Sequence, residues 1–373
     1  MRMDITRLTI SKLDIPFKYV FSHATASRVR TESIVVIAES IHGTKGFGEG
    51  CPRSYVTGET IKSAFDFFET HKKDLKRIQN LDDMKSWQIQ HQGTIDENPA
   101  IWCAIELAFL DLLGQETTQS IEALLSFPEL SETFQYTAVL GTDNIETFQK
   151  QLQQYSALGF TDFKLKVSGH LTDDRQKLNL LDELNIHNVR IRLDANNLWK
   201  LSEEAITYLT QLEYQFFGIE EPLEANDYQG CRKIYDALRA RIILDESFLR
   251  ISQFQSIQDC PETWIINIRI SKMGGVLRSL AIAKQAKILG IPVIIGAQVG
   301  ETSILSRAAL TVANAYRDIL LGQEGAVGTH LLEHDMTDQP IMFEKGGVVS
   351  PQPFGSTPGL GLNCHVSRTD LVE

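Results

Sequence analysis

An α/β barrel of eight parallel strands, carried together with an α+β cap, is the fold class that the sequence predicts, and three observations lead there. Beyond Pro128, strand-like runs alternate with amphipathic helical stretches at a near-constant interval. Before Pro128 the strands come first and the helices after, the pattern of an α+β domain. The last stretch, through Lys345-Gly346-Gly347 and Pro358-Gly359-Leu360-Gly361-Leu362, returns to turn-rich, β-like composition, so the tail is expected to pack back on the first domain. The division that follows is 1–128 as α+β cap, 129–335 as barrel and 336–373 as returning segment.

Taken in order, apolar residues alternate over Ile5–Ile15 and β-branched residues crowd Ser33–Ile41, giving two antiparallel strands. Between them, Phe17–Arg28 mixes aromatic and polar side chains too irregularly for either element and reads as a loop, for binding or merely at the surface. Gly46-Phe47-Gly48-Glu49-Gly50-Cys51-Pro52-Arg53 is expected as a glycine-rich turn; its spacing matches no phosphate-binding fingerprint. Helical spacing recurs over Thr60–Leu75 and Asn98–Leu113.

The eight barrel strands are expected at Thr133–Gly141, Thr161–Ser168, Val189–Asn196, Phe217–Pro222, Arg241–Ser247, Trp264–Ser271, Pro292–Gln298 and Thr329–Asp335. Helices such as Leu171–Leu184, Ser202–Leu212, Val276–Leu289 and Thr302–Asn314 lie between them. A doubly wound sheet shares this alternation, but the even interval favours closure.

Composition narrows the partners. The chain has 373 residues, 43% of them hydrophobic, and a formal net charge of −12 with no basic stripe, which argues against nucleic acid. Its five cysteines are scattered without C-x-x-C spacing, as suits a reducing compartment. No run of 18 apolar residues and no signal-peptide core is present, so no membrane partner and a cytoplasmic location are expected.

The chemistry gathers around Lys164-Leu165-Lys166. Residues two apart share a face of a strand, so both ammonium groups enter one interior if the strand is central; on an edge strand they would simply be solvated. Acids then recur at strand ends. Asp194 lies 28 residues after Lys166, Glu220 26 after that, and Asp245 25 further, close to one βα unit each. All four should stand at one height on the C-terminal rim, where barrel active sites assemble. Singly, each acid has a plain explanation as a helix cap or a solvated turn residue. Together, three converging carboxylates repel by roughly 4 kcal/mol per pair at about 4 Å and a dielectric near 20. A divalent cation removes that penalty, and an all-oxygen set without His or Cys points to Mg²⁺.

These motifs, with Ile219-Glu220-Glu221-Pro222, Asp245-Glu246-Ser247 and Ser271-Lys272-Met273-Gly274-Gly275, resemble the enolase superfamily, specifically its muconate-lactonizing-enzyme subgroup of the mandelate racemase type, over essentially the full length. The resemblance implies a modified TIM barrel, (β/α)7β, with Asp194, Glu220 and Asp245 on Mg²⁺, Mn²⁺ serving as a substitute. It further implies a small-molecule carboxylate substrate and exchange of its α-proton by Lys166, with Lys164 tuning and orienting. The loops around Phe17–Thr31 and Glu49–Thr57 would select the substrate, Phe21, Arg53 and Tyr55 hinting at an aromatic or anionic group. Homo-oligomers are common in the family.

Departures set the reaction. Racemising and epimerising relatives place a second lysine on strand six where this chain has Arg269, a guanidinium too basic to abstract a proton at neutral pH. Lys272 has the opposite strand parity and is expected to point away from the interior as a turn residue unless a turn breaks that rule, and it stays a catalytic candidate because racemisation needs Lys272 or a water on the other face. The end of strand seven, Gly296–Ser303, has no histidine; Glu301 resembles an acid of cycloisomerase relatives and is a candidate to orient substrate or donate a proton. At strand eight the dipeptide epimerases carry Asp-x-Asp where this chain is expected to offer His334-Asp335-Met336-Thr337-Asp338, with His330 and His334 structural. The reading is therefore proton abstraction with Lys166 as sole base, giving cycloisomerisation or β-elimination. The alternatives are a racemase or epimerase of amino-acid derivatives or dipeptides, and a barrel that binds a metal and carboxylate without turnover.

Overall fold

The structure is a computed structural model and describes residues 3–23, 26–141, 144–352, 354–365 and 371–372. The cap is an antiparallel sheet in the order Leu371–Val372, Ile5–Leu13, Ser33–Ser40, Lys45–Gly50, so the chain's last strand pairs beside its first. Helix Pro99–Thr117 covers this sheet and is buried at every position from Pro99 to Gly114. The glycine-rich run expected as a turn is the strand Lys45–Gly50. Gly46, Gly48 and Gly50 share one face, and a methyl group there would meet the carbonyl oxygens of Ala108, Ala104 and Ala100 at 2.1, 1.9 and 2.0 Å. Two strand residues rise about 6.6 Å and four helix residues about 6 Å, so the spacings match and the two backbones touch along their length. The glycines serve close approach rather than bending.

The stretch after Ile15 is also ordered differently from its irregular appearance. Pro16–His23 and Ala26–Arg30 pair as an antiparallel hairpin. Lys18 donates its backbone N–H to the Leu331 carbonyl at 2.8 Å and Phe17 bridges Leu332, which fixes the hairpin to the chain beyond the last barrel strand.

The barrel has eight parallel strands, each beside its successor: Ala138–Leu140, Asp162–Lys166, Arg190–Asp194, Gly218–Glu220, Arg241–Leu244, Trp264–Arg269, Val293–Gly296 and Leu320–Gln323. The two ends of the row meet through the Thr137 backbone N–H, which donates to the Gln323 carbonyl at 2.7 Å. Helices lie in the intervals, among them Leu171–Glu183, Ser202–Gln211, Val276–Leu289 and Ser303–Ala315.

Two strands depart from the sequence reading. The expected first strand is split, Phe134–Gln135 turning aside to pair with Val348–Val349 while Ala138–Leu140 enters the barrel. The eighth strand is Leu320–Gln323, not Thr329–Asp335; the latter opens with the short 3-10 helix Gly328–His330 and runs on without joining the sheet. Positive φ at Gly325, Ala326 and Gly328 turns the chain between the two, and Gly322 inside the true strand weakens its β signal.

Candidate active site

Strand register brings the predicted rim together. Lys166 lies beside Asp194 and Asp194 beside Glu220 on neighbouring strands, with Asp245 one residue past the end of Arg241–Leu244. Leu165 is buried on the opposite face while Lys164 and Lys166 both line one cleft of about 240 Å³. The edge-strand alternative for the two lysines therefore fails.

The two lysines differ in their surroundings. Lys164 is fully buried, its Nζ 3.1 Å from Asp194 Oδ2, 2.8 Å from Glu220 Oε1 and 3.3 Å from Glu324 Oε1. Burial pulls its pKa down, but the charges of Asp194, Glu220 and Glu324 outweigh burial and the net direction is up. Lys166 retains some exposure and reaches Asn196 Oδ1 at 3.3 Å and Asp194 Oδ2 at 3.7 Å. Burial also pushes the Glu220 carboxyl up to about 7, against Lys164, with Asp194, Glu324 and Asp245 adding to the rise.

Asp245 faces two cations. Its Oδ2 accepts from Arg269 Nη2 and its Oδ1 from Lys272 Nζ at 2.8 Å. Burial works to raise Asp245, and Arg269, Lys272 and Lys164 outweigh it, so its pKa falls below the ordinary range. The position of Lys272 corrects the parity argument. Strand six ends at Arg269 and Ile270–Met273 forms a helical turn, closed by Gly274 in the left-handed region, which swings Lys272 inward. Its three N–H bonds are committed to the Asp245 carbonyl at 2.7 Å, Asp245 Oδ1 at 2.8 Å and the Asn267 carbonyl at 2.8 Å. Gly275, also at positive φ, leaves the space that the Glu106 carboxylate of the cap fills, 2.4 Å from where a Cβ would stand.

Arg269 lies at the cleft and adds a 3.3 Å hydrogen bond from Nη1 to Gln298 Oε1. The carboxylates Asp245 and Glu246 hold its charge firmly in place against burial. Glu301 also lines the cleft, partly exposed where the cleft reaches it, and its Oε1 accepts from the Gln298 backbone N–H at 2.5 Å. Burial raises Glu301 to about 8, opposed by the Gln298 bond, Arg269 and Arg53 and reinforced by Glu49.

The residue that sequence reasoning missed is Glu324, one step past the true eighth strand. Its Oε1 accepts from Arg192 Nη2 at 2.6 Å, and Arg192 Nη1 reaches Asp162 Oδ1 and Thr137 Oγ1, each at 3.0 Å. Burial works to raise Glu324, and Lys164 and Arg192 drive it well below the ordinary range. The signal was the acid itself at a strand end, hidden by the misplaced strand. The substitutes offered for it lie elsewhere: Asp335 accepts from Ser303 N and Oγ, Asp338 pairs with His365, and His330 stacks on Phe343. Tyr55 lines the cleft, as does Tyr19 of the hairpin, whereas Arg53 is buried on the carbonyls of Glu32, Pro52 and Val299. The side chain of Phe21 lies outside the described part.

Among the described residues no three His, Cys, Asp or Glu side chains are arranged to hold a metal ion. Lys164 bridges Asp194 to Glu220, and Arg269 reaches from Asp245 to within 3.8 Å of Glu220, so these two cations stand among the three carboxylates. The donor set itself fits a hard divalent cation. It is all oxygen, and Glu220 Oε2 is buried without a hydrogen-bond partner.

Comparison with known proteins bears on the family and the fold. The family model described as "Enolase C-terminal domain-like" matches residues 147–367. An N-succinyl-L-Arg/Lys racemase of Bacillus cereus is 27% identical over 97% of this chain and 96% of its own. A hydrophobic dipeptide epimerase of Enterococcus faecalis is 25% identical over 85% of this chain and 89% of its own. Its crystal structure, complexed with Mg and the dipeptide L-Leu-L-Tyr, matches with a TM-score of 0.82 at 24% identity, covering 98% of this chain and 100% of the other. The muconate lactonizing enzyme from Pseudomonas putida matches with a TM-score of 0.83 at 20% identity, covering 96% and 97%, which speaks for the fold alone. The curated relatives are racemases and epimerases, so the preference for cycloisomerisation or elimination finds no support in them.

Proposed function

This chain belongs to the enolase C-terminal domain-like family and is an enolase-superfamily enzyme, and from that premise we propose that it racemises or epimerises an amino-acid derivative at the carbon next to the carboxylate, with Lys166 as a base. The observation that carries the reading is the contrast within the lysine pair. Lys164 is enclosed by three carboxylates that keep it charged, while Lys166 reaches the cleft with only Asn196 and Asp194 beside it. Lys166 is therefore the group able to take a proton from substrate, and Lys164 holds the local charge.

Asp194, Glu220 and Asp245 would hold Mg²⁺, or Mn²⁺ with the same oxygen preference, which when bound offsets negative charge developing on the substrate carboxylate. Arg269 orients the carboxylate end and adds a fixed positive charge. Tyr19, Tyr155, Leu332 and Phe343 also line the cleft and suit an apolar portion of the substrate.

The test is incubation in deuterated water with Mg²⁺ and two probes, N-succinyl-L-lysine and L-Leu-L-Tyr. Deuterium at the α-carbon together with inversion is the expected result, and the inversion is lost in Lys166→Ala. Labelling without inversion would favour the second reading, one-base cycloisomerisation or elimination, which Arg269 supports. Activity unchanged in Lys166→Ala sinks both.

A further inference from the structure

Racemisation needs a proton-transfer group on each face of the substrate carbon, and the expected second group is missing. In a ring of eight strands the position opposite strand two is on strand six, where Arg269 stands. A guanidinium held charged by Asp245 and Glu246 neither takes nor gives a proton near neutrality. Lys272, three residues on, has all three N–H bonds committed to Asp245 and the Asn267 carbonyl and does not line the cleft.

We infer that Glu301, which lines the same cleft as Lys166 and Arg269, is the second proton-transfer group. It sits in the turn after strand seven, one strand on from Arg269 and three strands around the ring from Lys166. Gln298 contacts both: Arg269 Nη1 donates to its side-chain Oε1 at 3.3 Å, and its backbone N–H donates to Glu301 Oε1 at 2.5 Å. Only Oε1 is engaged by that bond, and the cleft reaches the side chain. Burial places the carboxyl at about 8, where both protonation states are populated near neutral pH, as a reversible acid and base requires.

The step balances without a further reactant. Lys166, as free amine, takes the α-proton and becomes ammonium while the C–H electron pair moves into the substrate carboxylate. Glu301, as carboxylic acid, gives its proton to the same carbon from the other face, forms the new C–H bond and becomes carboxylate. For the antipode the two exchange roles.

This inference rests on the proposed racemisation, and its test separates the two. Wild type, Glu301→Gln, Glu301→Asp and Lys166→Ala are each incubated in deuterated water with N-succinyl-L-lysine and, separately, N-succinyl-D-lysine. Wild type should label and interconvert both. Glu301→Gln should interconvert them at least about 100-fold more slowly yet still label one enantiomer through Lys166, and Glu301→Asp should recover part of the loss. Lys166→Ala should label only the other enantiomer. If Glu301→Gln interconverts the pair at the wild-type rate, or loses both labelling reactions alike while its melting transition is kept, the role of Glu301 is overturned and the racemase reading stands. If wild type labels neither probe, nor L-Leu-L-Tyr, both fall.

Discussion

Two regions of this molecule bury carboxyl groups, and they satisfy them in opposite ways. At the barrel rim, Asp194, Glu220, Asp245 and Glu324 face Lys164, Arg192, Arg269 and Lys272. Along the seam between cap and barrel, carboxyls instead meet helix N-termini: Glu49 accepts from Thr302 N and Oγ1, and Glu106 accepts from Leu277 N at 3.1 Å. Dipoles stabilise charge less than cations do, and burial raises Glu49 to about 7 and Glu106 to about 8. The rim's cations thus hold Asp245 and Glu324 below the ordinary carboxylate range, although burial still takes Glu220 up to about 7, whereas at the seam both Glu49 and Glu106 are raised and serve attachment.

The largest expected effect would break the comparison at the rim. Lys166→Ala should lower interconversion of the enantiomers by about 10³-fold with the melting temperature unchanged within a few degrees, measured by polarimetry and calorimetry. A rim carboxylate should cost stability as well. Asp245→Asn leaves Arg269 and Lys272 without their counter-charge and should destabilise by about 3–5 kcal/mol, read from denaturant titration. The same variant should lose the rise in melting temperature that Mg²⁺ is expected to give the wild type.

The seam should respond to pH instead. Because burial raises Glu106 from the ordinary 4.5 to about 8, the folded state holds a proton that the unfolded chain releases. That contribution is complete below about 4.5 and is lost as pH rises through about 8. Glu106→Gln should therefore lie within about 1 kcal/mol of wild type at pH 5 and show a smaller loss of stability between pH 5 and 8. A slope equal to that of wild type would remove Glu106 from the account. The smallest effect belongs to the open surface. Lys62 and Asp66 pair at 2.6 Å with side chains 83% and 65% exposed, and Lys62→Ala should shift stability by less than about 0.5 kcal/mol.

Much of the rim was legible because it depends on period and spacing alone. Strand alternation placed Lys164 and Lys166 on one face, and the even βα interval placed Asp194, Glu220 and Asp245 beside them. What escaped depends on backbone conformation that a pattern of residue types does not carry. The turn at Ile270–Met273 reversed the expected direction of Lys272, and the short eighth strand, with Gly322 inside it, concealed Glu324. Gly46, Gly48 and Gly50 looked like a flexible turn because their partner, the helix Pro99–Thr117, lies about fifty residues away in sequence. Substrate identity was least legible, since Tyr19, Tyr155 and Phe343 reach the cleft from three separate segments.

The closure of the ring has a consequence for how the chain reaches this state. Among the described residues, strand eight meets strand one through one backbone hydrogen bond, Thr137 to Gln323, which joins residues far apart along the chain. Closing a loop of roughly 190 residues costs about 4–5 kcal/mol of chain entropy, more than one such bond returns. Arg192 supplies the remainder by gripping Glu324 from one end of the row and Thr137 from the other. The groups that complete the ring also set the charge around Lys164, so closure of the barrel and the electrostatics of the rim depend on the same side chains.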